Sequence, residues 1–115
     1  MVQKYVENPM LINKKKFDLR QWVLVACWDP LDVYVFDTAY LRLCSVDFSL
    51  TDLHNVYKHL SNYSIQKHTE YTENPNVMSI SEFQQYLGDP TAWDSTIFPR
   101  IKNVIYRTLK GVQDT

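Results

Sequence analysis

The sequence predicts an α+β fold in which an antiparallel β-meander is followed by helices. Residues up to about 48 are rich in β-branched and aromatic residues, whereas the later residues carry apolar side chains at helical spacing. The connections between the predicted strands are only a few residues long, which favours antiparallel pairing. A chain of 115 residues, 45% of them hydrophobic, is long enough to bury the core of one domain.

The first half contains segments of strand composition separated by turn residues. The predicted strands are Val2–Glu7, Met10–Ile12, Lys16–Trp28, Val33–Phe36 and Tyr40–Cys44. The predicted turns are Asn8–Pro9, Asn13–Lys15, Asp29–Asp32 and Asp37–Ala39. The turn after Ile12 predicts a β-hairpin with the long strand that follows it.

The second half begins with a predicted helix and a polar loop. Ser49 followed by Asp52 resembles a capping box. The apolar residues behind it repeat at helical spacing, namely Leu53, Val56, Tyr57 and Leu60. Residues 61–78 are polar and include Asn74-Pro75-Asn76, so we expect mostly loop there.

Two further helices are predicted after this loop. Ser79 with Glu82 indicates the start of a short helix that Gly88 ends. The last helix carries one apolar stripe, made of Ile97, Ile101, Val104, Ile105 and Leu109. Pro99 is expected in its first turn or at a kink, because a proline inside a helix costs about 3 kcal/mol.

Charge and hydropathy argue against nucleic-acid and membrane partners. The chain has 12 Lys and Arg against 13 Asp and Glu, a net charge of -1, and therefore no basic excess for nucleic acid. Its basic run, Lys14–Lys16, is typical of a solvated hairpin tip. The longest apolar run, Trp22–Trp28, is far shorter than the ~20 residues that span a bilayer.

Cysteine, histidine and glycine usage favours neither a metal site nor a catalytic thiol. Cys27 and Cys44 are too few for a disulfide scaffold, so we expect two small buried thiols in a reduced, intracellular protein. His54, His59 and His68 match no familiar metal-ligand spacing. The sequence also has only 2 glycines and therefore no glycine-rich phosphate loop.

Charged side chains alternate at the start of the longest predicted strand. Lys16, Asp18 and Arg20 leave the same face of that strand, while Phe17 and Leu19 point to the other. Arg42 is a further cation on an otherwise apolar strand. If these strands pair, the cations converge around one carboxylate and suit an anionic ligand. A solvated ladder of weak salt bridges explains the same spacing equally well.

Several collinear segments resemble the tubulin tyrosine ligase-like family of ATP-grasp ligases. They are "QKYVENPMLI", "KFDLRQWVLV", "WDPL", "YLR", "FSL" and "HLSNYSIQK", within residues 2–67. "WDPL", "SIQK" and the later "AW…P…QDT" run look most similar to the glycylase branch. The resemblance implies a partial ATP-grasp fold that covers residues 1–115.

The resemblance also implies roles for individual residues. It implies that the segment Gln3, Lys4, Tyr5 and Val6 receives the adenine ring, and that Lys16 and Asp18 contact ATP. Arg20 and Arg42 match arginines that line the site for the amino-acid substrate and the reacting phosphate. His59, Asn62 and Lys67 match the segment that closes over the nucleotide and the acceptor. Arg20, Arg42 and Lys67 are therefore the implied catalytic residues.

The implied reaction is an ATP-dependent ligation. ATP phosphorylates a glutamate side chain in a tubulin tail, and the amine of free glycine displaces the phosphate. Magnesium is the implied partner of ATP. The family's Glu-x-Asn magnesium signature and its phosphate loop are missing here, so we expect their ligands outside this chain and expect the chain alone to be inactive. Lys14 stands where relatives usually carry glycine, so we also expect an altered hairpin turn.

Other functions remain open on the sequence. A tubulin polyglutamylase or tyrosine ligase of the same family, or a noncatalytic module that binds nucleotide or tubulin, is compatible with the same residues. The resemblance implies tubulin or another protein with an acidic tail as partner. It implies a place in the cytoplasm and cytoskeleton, including the axoneme of a cilium or flagellum.

Overall fold

The computed structural model describes residues 2–68 and 76–113. A four-stranded sheet with the order β1-β2-β3-β4 precedes most of the helical residues. Its strands are β1 Leu11–Ile12, β2 Lys15–Cys27, β3 Asp32–Leu43 and β4 Val77–Ser79. The helices are α1 Val56–His59, α2 Tyr63–Gln66, α3 Ile80–Leu87 and α4 Phe98–Gly111, and a π-helical turn, Trp93–Ile97, precedes α4. The predicted α+β class, an antiparallel sheet followed by helices, is confirmed.

The strand predictions are confirmed for the β1–β2 hairpin and wrong in two other places. The predicted strand Val2–Glu7 is irregular, and the side chains of residues 2–8 are exposed. The predicted turn Asp37–Ala39 does not form, because β3 continues through it for 12 residues beside β2. This segment contains no glycine or proline, and the Gln21 side-chain amide donates to the Phe36 carbonyl at 2.7 Å. Neighbouring-strand contacts therefore override the local turn composition.

The β1–β2 hairpin keeps a left-handed turn without glycine. Ile12 pairs with Lys15, so Asn13 and Lys14 form the turn, with φ of 48° and 65°. Positive φ at both central residues defines a type I′ turn, whose twist suits a hairpin. Lys14 thus adopts the left-handed conformation that glycine takes readily, and the expectation of an altered turn stays a prediction. The Lys14 carbonyl also accepts from the Phe48 amide at 2.8 Å, which helps to hold this conformation.

The first helical prediction misplaced its cap. Ser49 Oγ contacts the Thr51 hydroxyl at 2.7 Å and accepts from its amide, which satisfies these groups locally. The helix α1 begins later, and the Asn55 side chain caps it by accepting from the Tyr57 amide at 3.1 Å. The predicted loop 61–78 contains α2 and part of β4, while residues 69–75 lie outside the described residues.

The last two helical predictions are confirmed. Ser79 and Glu82 form a reciprocal capping box at α3, and Gly88 ends the helix with φ of 71°. Pro99 lies in the first turn of α4, directly after the π-helical turn. The residue types at helix ends therefore predicted these boundaries well.

The chain divides into two compact units. Unit 1 consists of Met1–Leu19 and Leu41–Met78, and unit 2 of Arg20–Tyr40 and Ser79–Thr115. In unit 1 the side chains of Ile12, Leu41 and Cys44 are 0% exposed. Cys27, by contrast, is exposed in unit 2, which corrects the prediction of two buried thiols. It lies at the end of β2, where Sγ donates to the Asp29 carbonyl at 3.4 Å.

Unit 2 is held by apolar and aromatic packing. Trp93 is 5% exposed, and its ring stacks on Phe98 with centroids 5.6 Å apart. The Lys102 ammonium lies 4.7 Å from the centroid of the Phe98 ring. Trp28 and Gln113 exchange two hydrogen bonds through their side chains and carbonyls. Within the described ranges, every helix is too short or too polar to span a bilayer.

We expect Lys14→Gly to stabilise the protein by about 0.5–1 kcal/mol. A left-handed conformation costs about 1–2 kcal/mol for a residue with a Cβ, and the added flexibility of glycine offsets part of this gain. Urea titration monitored by circular dichroism measures the change. Lys15→Gly is the matched control: it lies in β2, where glycine should destabilise. A loss of stability in Lys14→Gly would contradict the prediction.

Candidate functional site

The candidate site in unit 1 is built around two charged side chains on β2. The Lys16 ammonium donates to the His59 carbonyl at 2.8 Å and lies 3.8 Å from Asp18 Oδ1. The Ser61 hydroxyl donates to Asp18 Oδ2. The Lys16 side chain is 17% exposed and the Asp18 side chain 41% exposed. An ammonium and a carboxylate are thus held in defined positions, and each keeps some access to a ligand.

His59 ties the N-terminal segment and the residues before α1 to these charged groups. Its ring Nε2 lies 3.0 Å from the Asp52 carbonyl, and Nδ1 lies 2.7 Å from the Tyr5 hydroxyl. A carbonyl only accepts, so Nε2 donates, and in the neutral ring Nδ1 must accept from Tyr5. The ring is edge-on to Tyr5 and to Phe48, with centroids 5.6 Å apart in both pairs. His59 is 6% exposed, so its ring orientation is determined by protein contacts.

The Gln66 side chain forms hydrogen bonds to Ser45, Tyr57 and Leu60. Its Oε1 accepts from the Ser45 amide at 3.0 Å and the Ser45 hydroxyl at 2.6 Å. Its Nε2 donates to the carbonyls of Leu60 at 2.6 Å and Tyr57 at 3.3 Å. The amide therefore uses four hydrogen-bonding positions while Gln66 is 4% exposed. Such complete satisfaction is what permits a polar side chain in the interior.

The pKa values of a hydroxyl and a thiol near this site are raised. Burial raises the pKa of the Tyr5 hydroxyl, and the negative charges of Cys44 and Asp18 add to the effect. The protonated Tyr5 hydroxyl is the donor to His59 Nδ1. Burial also raises the pKa of Cys44 to about 11, with Asp18 contributing and Lys16 opposing. Cys44 is a neutral thiol at physiological pH, which does not favour nucleophilic chemistry there.

The structure brings together Tyr5, Lys16, Asp18 and His59 among the residues that the sequence singled out. Gln3, Lys4 and Val6 are exposed on the irregular N-terminal segment, where Lys4 pairs with Glu7 at 3.7 Å. Asn62 and Lys67 are exposed at the two ends of α2. Arg42 is half-buried on β3 in unit 1, whereas Arg20 is half-buried on β2 in unit 2. The ligand roles of these residues stay predictions.

Sequence reasoning gave no individual site role to Ser61, Gln66 or Phe48, and it interpreted Asp52 as part of a helix cap. Ser61 and Gln66 lie inside the segment "HLSNYSIQK", but nothing in their type marks them as buried. The partner of Ser61 is 43 residues away, and that of Gln66 is 21 residues away. Among the described residues, no group of three or more His, Cys, Asp or Glu is arranged to hold a metal ion.

Comparison with known proteins gives a match along nearly the whole chain. The sequence profile of the tubulin-tyrosine ligase family matches residues 1–114. The chain is 41% identical over 120 residues to "Tubulin glycylase 3B" of Tetrahymena thermophila, covering 99% of this chain and 10% of that protein. It is 43% identical over 125 residues to "Tubulin monoglycylase TTLL3" of Homo sapiens, covering 100% of this chain and 16% of that protein. "Protein monoglycylase TTLL8" of Homo sapiens is 38% identical over 124 residues, with coverages of 99% and 14%.

We expect Gln66→Ala to lower the free energy of unfolding by about 2–4 kcal/mol, because several buried polar groups lose their partner at once. Chemical denaturation followed by tryptophan fluorescence measures the loss. Gln85→Ala is the control, since that side chain is exposed on α3. Equal stability of the two variants would show that the Gln66 contacts contribute nothing.

Proposed function

Because this chain belongs to the tubulin-tyrosine ligase family, we propose that it contributes the nucleotide-binding wall of an ATP-dependent tubulin glycine ligase. The observation that carries the proposal is the similarity of this chain, along nearly its whole length, to proteins named as tubulin glycylases or protein monoglycylases. The chain spans about a tenth to a sixth of the length of these relatives, so the proposal concerns the complete protein.

The proposed reaction joins glycine to a glutamate side chain in two steps. The glutamate carboxylate attacks the γ-phosphorus of ATP, so that ADP leaves and an acyl-phosphate forms. The amine of glycine then attacks the acyl carbon, phosphate leaves with the bonding electron pair, and the amine loses a proton as the amide forms. Negative charge develops on oxygen in both steps, and preorganised cations stabilise such charge.

The contacts of Lys16 and Asp18 support the binding of a nucleotide. Lys16 is mostly buried, and an ammonium has three N–H donors, of which the His59 carbonyl takes one. A further donor at this partly desolvated position can bind an anionic or lone-pair acceptor of the nucleotide. Asp18 is half-exposed and can accept from hydroxyl groups. These groups fit the phosphate and sugar chemistry of ATP, with Gln3, Lys4, Tyr5 and Val6 proposed beside the base.

Other residues have proposed roles around the reacting atoms. Arg20, Arg42 and Lys67 are proposed to stabilise negative charge on the phosphoryl group and the amino-acid carboxylate, because guanidinium groups bind such oxygens bidentately. His59 and Asn62 are proposed to close the nucleotide side. A bound magnesium ion would neutralise negative charge on the triphosphate of ATP. We propose that its ligands belong to other parts of the complete protein.

The proposed partners are tubulin, or another protein with an acidic tail, and free glycine. A nearly neutral chain with net charge -1 offers no general attraction for an acidic tail, so the docking surface is proposed elsewhere in the complete protein. The proposed location is the cytoskeleton, including ciliary or flagellar axonemes. We further propose that this chain alone is inactive, because it supplies neither the phosphate loop nor the magnesium signature.

We expect the complete protein to add glycine to tubulin when ATP, magnesium and free glycine are supplied. Mass spectrometry of tubulin tail peptides should show increments of one glycine residue on glutamate side chains. Parallel reactions that contain glutamate or tyrosine in place of glycine are the controls. Addition of glutamate or tyrosine would indicate a different donor specificity, and addition of none would favour a noncatalytic binding module.

We expect Lys16→Ala in the complete protein to weaken ATP binding by roughly tenfold to a hundredfold, the effect of losing a charge-assisted hydrogen bond. Isothermal titration calorimetry measures the affinity. Lys15→Ala is the matched control, because the neighbouring lysine on β2 points to the opposite face of the strand. If both variants bind ATP like the unsubstituted protein, the Lys16–Asp18 pair is only a structural salt bridge.

A further inference from the structure

One short segment contacts both charged groups of the candidate site. The His59 carbonyl accepts from the Lys16 ammonium, and the Ser61 hydroxyl, two residues later, donates to Asp18 Oδ2. We propose that Ser61 is a positioning residue of the nucleotide site, which orients the Asp18 carboxylate, and that the buried His59 ring fixes the segment that carries it. This inference rests on the proposed function.

The hydrogen bond from Ser61 restricts the rotation of the Asp18 carboxylate. An aspartate side chain has two rotatable bonds, and water competes for its oxygens because the Asp18 side chain is 41% exposed. Ser61 is 2% exposed, so its hydroxyl has no bulk water to bind and its donor is directed at Oδ2. Oδ1 is directed towards Lys16 at 3.8 Å. The two contacts together define the orientation of the carboxylate plane before a ligand arrives.

The segment is itself held by buried hydrogen bonds before and within it. The His59 ring is fixed by Tyr5 and by the Asp52 carbonyl, and the Leu60 carbonyl accepts from Gln66 at 2.6 Å. Ser61 follows these two anchored residues directly. The main chain at Ser61 is therefore held in position next to Asp18.

Because the His59 and Ser61 side chains are buried, we infer that they affect the ligand through the residues that they contact. Both ring nitrogens of His59 are engaged with protein groups and the residue is 6% exposed, while Ser61 is 2% exposed. A ligand at the surface reaches the half-exposed Asp18 carboxylate and the Lys16 ammonium before either of these groups. His59, which the resemblance implies as a nucleotide-binding residue, thus contributes by holding the main chain that positions Lys16 and Ser61.

The test uses a double-mutant cycle between Ser61 and Asp18 in the complete protein. The variants are Ser61→Ala, Ser61→Thr, Asp18→Ala and the Ser61→Ala/Asp18→Ala double variant. Ser64→Ala is the control, because that serine is exposed on α2. The dissociation constant for ATP is measured by titration calorimetry, and the unfolding midpoint is measured for each variant. Ser61→Cys, whose sulfur fills the space but donates weakly, serves if Ser61→Ala does not fold.

We expect Ser61→Ala to weaken ATP binding roughly tenfold, and Ser61→Thr, which keeps the hydroxyl, to change it less than about threefold. In the Asp18→Ala background, Ser61→Ala should have almost no further effect, because the group that Ser61 orients is absent. Penalties that multiply in the double variant would overturn the positioning role. Equal affinities of Ser61→Ala and Ser64→Ala would overturn it as well.

The outcomes separate this inference from the proposed function. If the unsubstituted complete protein does not bind ATP, the proposed function and the positioning role both fail. If it binds ATP and transfers glycine while the Ser61 variants bind like the control, the proposed function stands and only the positioning role fails.

Discussion

The hydrogen bond between the Lys16 ammonium and the His59 carbonyl is the constraint on which the rest of unit 1 depends. It joins β2 to the last residue of α1 across 43 positions of sequence. A mostly buried ammonium must have an acceptor, because burying an unpaired charge costs several kcal/mol. The His59 main chain therefore has to lie over β2, and the residues on both sides of it must satisfy their own polar groups in that position.

The polar contacts around His59 meet this requirement and thereby specify one arrangement. The ring engages Tyr5 on one side and the Asp52 carbonyl on the other, while Gln66 satisfies the carbonyls of Tyr57 and Leu60. A helix as short as α1, with four residues, has little stability of its own. Its position is therefore determined by these buried hydrogen bonds and by packing against rings such as Phe48.

Unit 2 is stabilised by helix caps and apolar packing, whereas unit 1 relies on buried hydrogen bonds. Its helices carry their own start and stop signals, such as the Ser79–Glu82 capping box and the left-handed Gly88. Trp93 and Phe98 stack, and the apolar residues of α4 line a groove with Val23 and Val25 of β2. Apolar packing is tolerant of the exact partner, whereas the buried polar groups of unit 1 require particular ones. This difference makes unit 1 the better place for a binding site with defined donors and acceptors.

Sequence patterns predicted several features that depend on neighbouring residues. The β1–β2 hairpin, the caps of α3 and the place of Pro99 follow from local turn and helix-end chemistry, and the alternation of Lys16 and Asp18 placed them on one face of β2. The predicted turn in β3 failed because β3 continues beside β2. The predicted cap at Ser49 failed because Ser49 bonds to Thr51 and Asn55 caps α1 instead. The collinear resemblance identified the family, and Tyr5, Lys16, Asp18 and His59 do come together.

The sequence by itself therefore determined the class of fold, the family and the residue types that carry charge. Only the tertiary structure decided that His59 is buried with both ring nitrogens engaged, that Ser61 binds Asp18, and that Gln66 is an interior residue. These contacts join residues between 6 and 54 positions apart. No local pattern encodes them, because the type of a polar residue does not show whether its hydrogen-bond partner is water or a distant carbonyl.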